Sequence, residues 1–128
     1  MPHAWIEYSV NLEDTPELQG LGKCLYDAML ETGIFPVAGV RIRIQPVANC
    51  LVGDLTPANA FIHIALRIGE GRTGVTIKAA TDAIFKQVSL HLKPLADRHP
   101  LAVAMELGEI DNRYSYKMNN LRDHMRAG

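Results

Sequence analysis

Met1-Pro2-His3-Ala4-Trp5-Ile6-Glu7-Tyr8-Ser9-Val10 is the stretch from which the rest of the chain is read. Ala4, Ile6, Tyr8 and Val10 point one way, and His3, Trp5, Glu7 and Ser9 the other, the period-two pattern of a half-buried strand. The pattern returns over residues 60–68, where Ala60, Ile62, Ile64, Leu66 and Ile68 share one face and Phe61, His63, Ala65 and Arg67 the other. Ala4-Trp5-Ile6 is echoed by Ala60-Phe61-Ile62 at an offset of 56 residues, so the chain reads as two copies of one unit.

Each strand is followed by a helix and a second strand. After a polar connection from Asn11 to Thr15, Thr15-Pro16 reads as a cap followed by proline at the first helical position. Leu18, Leu21, Leu25, Ala28 and Met29 recur at steps of three and four, giving a helix to about Thr32 that Gly33 stops. From Gly39 a strand carries Val40, Ile42 and Ile44 on one face and Arg41, Arg43 and Gln45 on the other. The stretch Val47 to Val52, between Pro46 and Pro57, reads either as an extension of this strand or as a hairpin. In the second half, Ile77, Ala80, Ile84, Val88, Leu92 and Leu95 predict a helix over about 74–97, ended by His99-Pro100. Leu101 to Leu107 is a fourth strand, and a polar tail follows with a short helix expected near Asn119 to Met125.

The whole is a single α+β domain, a two-layer sandwich over residues 1–128. It has pseudo-repeats at about 2–52 and 58–110 and a tail at 111–128. A duplicated βαβ unit gives a four-stranded mixed sheet with two helices on one face. The other face has no helix to cover it, so burial against other subunits is expected.

Composition bounds the function. With 128 residues, 48% hydrophobic, 21% charged and a net charge of −1, the chain is an ordinary globular domain. Without a basic excess, nucleic acid is not an expected partner. No apolar run approaches the roughly 20 residues of a bilayer span, and the N-terminus lacks the basic and apolar segments of a signal peptide. Cys24 and Cys50 match no metal or redox spacing and read as reduced thiols of a cytoplasmic protein, although the sequence leaves a disulfide between them open.

Three residues are candidates for chemistry. If Met1 is removed, Pro2 becomes a terminal secondary amine whose lone pair is not tied up in amide resonance. An ordinary α-amino group titrates at about 7.7–8.0, and burial beside cations lowers that value, leaving a neutral base near pH 7. Arg41 lies with Arg43 on the polar face of a strand, and Arg72 follows the turn Gly69-Glu70-Gly71 at a helix N-terminus. Guanidinium groups bind carboxylates in a bidentate fork, and a helix start favours anions. Together they suggest a site for an acidic small molecule, against the alternative that each arginine is a solvated surface residue. Gly69-x-Gly71 is too short for a dinucleotide fingerprint, and Gly71-Arg72-Thr73 is not a Walker loop. The five histidines show no metal-ligand spacing with Cys, Asp or Glu.

Several segments are similar to one family: Met1-Pro2-His3, Thr32-Gly33-Ile34-Phe35-Pro36, Ala38-Gly39-Val40-Arg41-Ile42-Arg43, Ala60-Phe61-Ile62-His63, Ile68-Gly69-Glu70-Gly71-Arg72 and Lys117-Met118-Asn119-Asn120. In order, over nearly the whole chain, they resemble the 5-carboxymethyl-2-hydroxymuconate isomerases of the tautomerase superfamily. The resemblance implies a homotrimer of duplicated βαβ chains and a proton shift in a carboxylated dienol, without cofactor or metal, in bacterial homoprotocatechuate degradation. It implies Pro2 as the proton-transferring residue and Arg41 and Arg72 as the substrate arginines, with no equal assignment for Arg43. The competing expectation is a non-catalytic trimeric binding module of the same fold, or a superfamily enzyme with another carboxylated substrate.

Overall fold

A computed structural model describes residues 1–126. The elements run β1 (His3–Ser9), α1 (Pro16–Glu31), β2 (Arg41–Val47), β3 (Ala60–Gly69), α2 (Gly74–Arg98), β4 (Leu101–Ile110) and a short α3 (Leu121–His124). The sheet order is β2-β1-β3-β4. Strand β1 pairs parallel with β2 and antiparallel with β3, and β3 pairs parallel with β4. Each parallel pair is bridged by one helix, so the repeat seen in sequence is the unit of the fold, and the two copies join through β1 and β3.

Local chemistry explains the boundaries. The Thr15 hydroxyl accepts from the Leu18 N–H at 3.4 Å, and Pro16 opens α1 where no intrahelical donor is needed. Thr73 caps α2 in the same way, accepting from Thr76 N–H at 3.2 Å. At its other end α2 carries Pro94 without breaking, and stops at Arg98 before His99-Pro100.

The helices cover one face of the sheet. Ala4, Ile6, Tyr8, Ala60, Ile62, Ile64, Leu66 and Ile68 are buried against Leu18, Leu21, Leu25 and Met29 of α1 and Ile84, Val88, Leu92 and Leu95 of α2. Ile6 sits at the centre of this layer, in register with Ile44 on β2 and Ile64 on β3, and is fully buried. Ile6→Val removes one methylene there and is expected to cost about 0.5–1.5 kcal/mol. A urea-unfolding midpoint equal to wild type would show that this layer is not the tightly packed core described.

The expected elements differ in four places. Val10 leaves the strand for a 3-10 turn over Val10–Leu12. Strand β2 continues through Pro46 to Val47 and then ends, and residues 48–59 form neither a further strand nor a hairpin. Strand β4 runs on to Ile110, three residues past Leu107, because its partner β3 continues to Gly69. The tail helix is shorter than expected, covering Leu121–His124 alone. Cys24 and Cys50 are both free thiols. Among the described residues, no helix is long and apolar enough to cross a membrane.

On the uncovered face, Trp5, Phe61, His63 and Ala65 remain partly exposed beside Arg41 and Arg43. Arg43 lies over the Trp5 ring at 4.5 Å and donates to His3 Nδ1 at 3.1 Å, and His3 stacks on Trp5. Burial first, then the Arg43 charge, holds the His3 ring below its usual pKa. Both causes favour the neutral imidazole, the form whose Nδ1 can accept from Arg43.

Candidate active site

A cavity of about 560 Å³ opens at the end of the sheet where β1 begins, and it is lined by Pro2 and Arg72. The first residues of β1 place Pro2. Its carbonyl accepts from the Arg41 N–H at 3.0 Å, so the residue is tied to the start of β2 by a ladder bond. It is buried, and Met1 precedes it in the cavity wall. Gly39, in the turn Val37–Gly39 between Pro36 and β2, lets the backbone come close. A Cβ on Gly39 would meet Pro2 Cδ at 3.0 Å and Met1 Cα at 3.5 Å. Any side chain there would press on the proline ring.

Arg72 reaches the cavity from the turn after β3. Gly71 takes φ +115°, a conformation that a residue with a Cβ rarely adopts, and the chain doubles back. Arg72 then donates from one terminal nitrogen to Gly69 O at 3.0 Å and from the other to Ile34 O at 2.8 Å, with its guanidinium 5.4 Å from the Phe35 ring centroid. Two carbonyls and an aromatic face hold the group, and its remaining N–H donors stay available to a ligand.

Arg41 is placed differently. It flanks the cavity without lining it, and one terminal nitrogen donates to Ala38 O at 2.9 Å and Val40 O at 3.0 Å, bracing the turn behind Pro2. Arg43, given no comparable role, points to the uncovered face with Trp5 and His3 and is absent from the cavity wall. His63, on the same open face, pairs with Glu106 at 3.1 Å.

The tail supplies what the sequence reading left without a role. Asn112, Lys117, Asn119, Arg122 and Asp123 all line the cavity. Asn112 N–H donates to Glu70 at 2.9 Å, and the Asn119 amide donates to Ala38 O at 2.9 Å, the carbonyl that Arg41 also uses. Lys117-Met118-Asn119-Asn120 stands out only through the family resemblance. The tail has no apolar period, so nothing in its own pattern signals that it folds back.

The electrostatics follow from this arrangement. The terminal amine, carried by Met1, is held below its ordinary value of 8.0 by burial first, then by Lys117, Arg72 and Arg41. All of these disfavour adding a positive charge. The site therefore favours the neutral form of an amine, and it presents Arg72, Lys117 and Arg122 to an anionic ligand beside the carboxylates of Glu70 and Asp123.

A buried proline heading the central strand of a duplicated βαβ sheet, with cations around it, defines a protein of the tautomerase fold. The 5-carboxymethyl-2-hydroxymuconate isomerase family model matches residues 2–125. A 5-carboxymethyl-2-hydroxymuconate Delta-isomerase of Escherichia coli is 31% identical over 121 residues, covering 94% of this chain and 96% of that protein. The crystal structure of a 5-carboxymethyl-2-hydroxymuconate isomerase from Deinococcus radiodurans R1 superposes with a TM-score of 0.86 at 30% identity, covering 98% of this chain and 95% of that one. A further crystal structure, of a 5-carboxymethyl-2-hydroxymuconate delta-isomerase, gives a TM-score of 0.89 at 24% identity over 100% of this chain and 95% of that one, and shares the fold. The chain belongs to the 5-carboxymethyl-2-hydroxymuconate isomerase family, and it is an isomerase of that type.

Proposed function

We propose that this chain, once Met1 is removed, isomerises 5-carboxymethyl-2-hydroxymuconate, with Pro2 as the base. The observation that carries this is the buried Pro2 at the head of β1, sharing one cavity with Arg72 and with cations of the tail. Neutral Pro2 nitrogen takes the proton of the 2-hydroxyl, leaving a dienolate and a prolyl ammonium. The ammonium returns that proton to C-5, giving the unsaturated ketone and regenerating the amine. Atoms and charge balance within the substrate and one amine, so the step needs no redox partner. Arg72 holds a carboxylate from the cavity wall and stabilises charge that develops in the transition state. Arg41 acts from the flank, through donors not used on Ala38 and Val40. The direct test is isomerisation of the dienol by Met1-free protein, followed as loss of dienol absorbance. No turnover of it, or of 2-hydroxymuconate, would remove this reading.

The proposal extends to assembly and context. Half-exposed Trp5, Phe61 and His63 on an uncovered sheet face favour a homotrimer that buries them. Light scattering is expected to return three times the 14.1 kDa chain mass, and a stable monomer at micromolar concentration would contradict it. The setting we propose is cytoplasmic homoprotocatechuate degradation, where opening of an aromatic ring and oxidation of the resulting aldehyde supply such a dienol. Genes for ring-cleaving enzymes beside this one would support that setting.

A further inference from the structure

The substrate proposed above carries two muconate carboxylates and a third on its carboxymethyl arm, whereas the reading above offers two arginines, Arg72 in the cavity wall and Arg41 on its flank. The tail adds Lys117 and Arg122 to the cavity wall, and among the described residues neither has a carboxylate partner at salt-bridge distance. The tail's Arg113, by contrast, is already paired with Asp111 at 2.8 Å.

Lys117 is held in place from both sides. On one side Asn112 N–H is bound to Glu70 at 2.9 Å. On the other, Asn119 donates to Ala38 O at 2.9 Å and accepts from Leu121 N–H at 2.9 Å. Between these pins the chain makes a 3-10 turn over Asn112–Tyr114 and then runs without regular structure to Asn120. Tyr116 and Met118 are 89% and 100% exposed and lie outside the cavity, whereas Lys117 and Asn119, also solvent-accessible, line its wall. Lys117 shares the cavity wall with Met1 and Pro2, and its charge is among those that lower the terminal amine's pKa.

The reaction itself says what belongs beside that amine. The proton is delivered to C-5, and C-5 is the carbon that bears the carboxymethyl arm. When C-5 is at the Pro2 nitrogen, two carboxylates lie near the base, the C-6 carboxylate directly on C-5 and the arm's one methylene out, so a further cation is needed there. We infer that Lys117 receives the side-arm carboxylate and so sets a preference for the tricarboxylate over a dicarboxylate lacking the arm. This rests on the isomerase reading proposed above.

The test measures kcat/KM on 5-carboxymethyl-2-hydroxymuconate and on 2-hydroxymuconate, with Met1-free wild type, Lys117→Met and Lys117→Arg. Lys117→Met is expected to lower the ratio of the two constants about tenfold or more, as loss of one charged hydrogen bond requires, and Lys117→Arg to restore most of it. A ratio unchanged in Lys117→Met overturns the inference, including the case in which both substrates slow equally. Because the ratio is read, an effect on folding or on the Pro2 amine, common to both substrates, cancels. If wild type turned over neither dienol, the isomerase reading would fall and the inference with it. Turnover of both with an unmoved ratio would leave that reading standing and remove Lys117 alone.

Discussion

Arg72→Ala is expected to lower kcat/KM on the carboxylated dienol by roughly 10²–10³, the 2.7–4 kcal/mol typical of removing one donor that acts mainly in the transition state. The guanidinium is not a loose surface group. Gly69 O and Ile34 O hold its two terminal nitrogens, and Phe35 lies beneath it. These contacts fix it at one wall of the cavity, so little reorganisation is needed as charge develops. Arg72→Lys keeps the charge but cannot bridge two carbonyls and present a fork at once, so it should recover only part of the loss. The fold should survive both changes, because α2 is capped by Thr73 and packed through Ile84, Val88, Leu92 and Leu95. Arg41→Ala should also slow turnover strongly, partly by loosening the Ala38–Val40 turn behind Pro2. Arg43→Ala serves as the control, since its partners are His3 and Trp5 on the open face. Steady-state kinetics with circular dichroism on each variant decide the matter. Wild-type kcat/KM in both Arg72→Ala and Arg41→Ala would return these arginines to the status of surface residues.

The contrast between Arg41 and Arg72 shows where sequence stops informing. Alternation at 3–9 and 60–68, and the apolar steps of the two helices, are local patterns enforced by one shared core, so they read correctly from sequence up to Val10, which turns away. Strand ends were less legible because they depend on the partner: β4 runs to Ile110 only because β3 offers Gly69 opposite it. Both arginines look alike on paper, one on a strand face and one after a glycine turn. Which of them lines the cavity depends on the left-handed backbone at Gly71 and on which carbonyls each guanidinium finds. The tail was least legible. Lys117 and Asn119 reach the site because Asn119 donates to Ala38 O and Asn112 N–H to Glu70, contacts that span 81 and 42 positions, and no periodicity encodes such contacts.

Activity should be absent while Met1 is attached and appear when it is removed. With Met1 in place the Pro2 nitrogen is a tertiary amide, with no proton to give and no available lone pair. Met1 also lines the cavity, and its sulfur lies 3.8 Å from the Asn119 amide, so it occupies space a substrate would need. Removal moves the terminal amine one residue inward, onto a ring that is buried and fixed through the Pro2 carbonyl to Arg41 N–H. The causes that depress the amine in the present chain are burial, Lys117, Arg72 and Arg41; Pro2 is buried in the same cavity wall as Lys117 and Arg72, so the same causes are expected to act on its nitrogen. All four disfavour the protonated form, so the sign is fixed: the active, neutral amine forms as pH rises through the depressed value. The acid limb of the kcat/KM profile should therefore lie below that of an ordinary N-terminal proline. Lys117→Met or Arg72→Ala, by removing one positive charge, should move that limb to higher pH. Intact mass spectrometry beside the assay, on the same sample, checks the first claim, and the pH profile of the processed protein checks the second. Full turnover by protein shown to be entirely Met1-retaining would end the assignment of Pro2 as base. Loss of both the activity and the acid limb when Pro2 is replaced by alanine would support it, since that primary amine lacks the ring that orients the proline nitrogen.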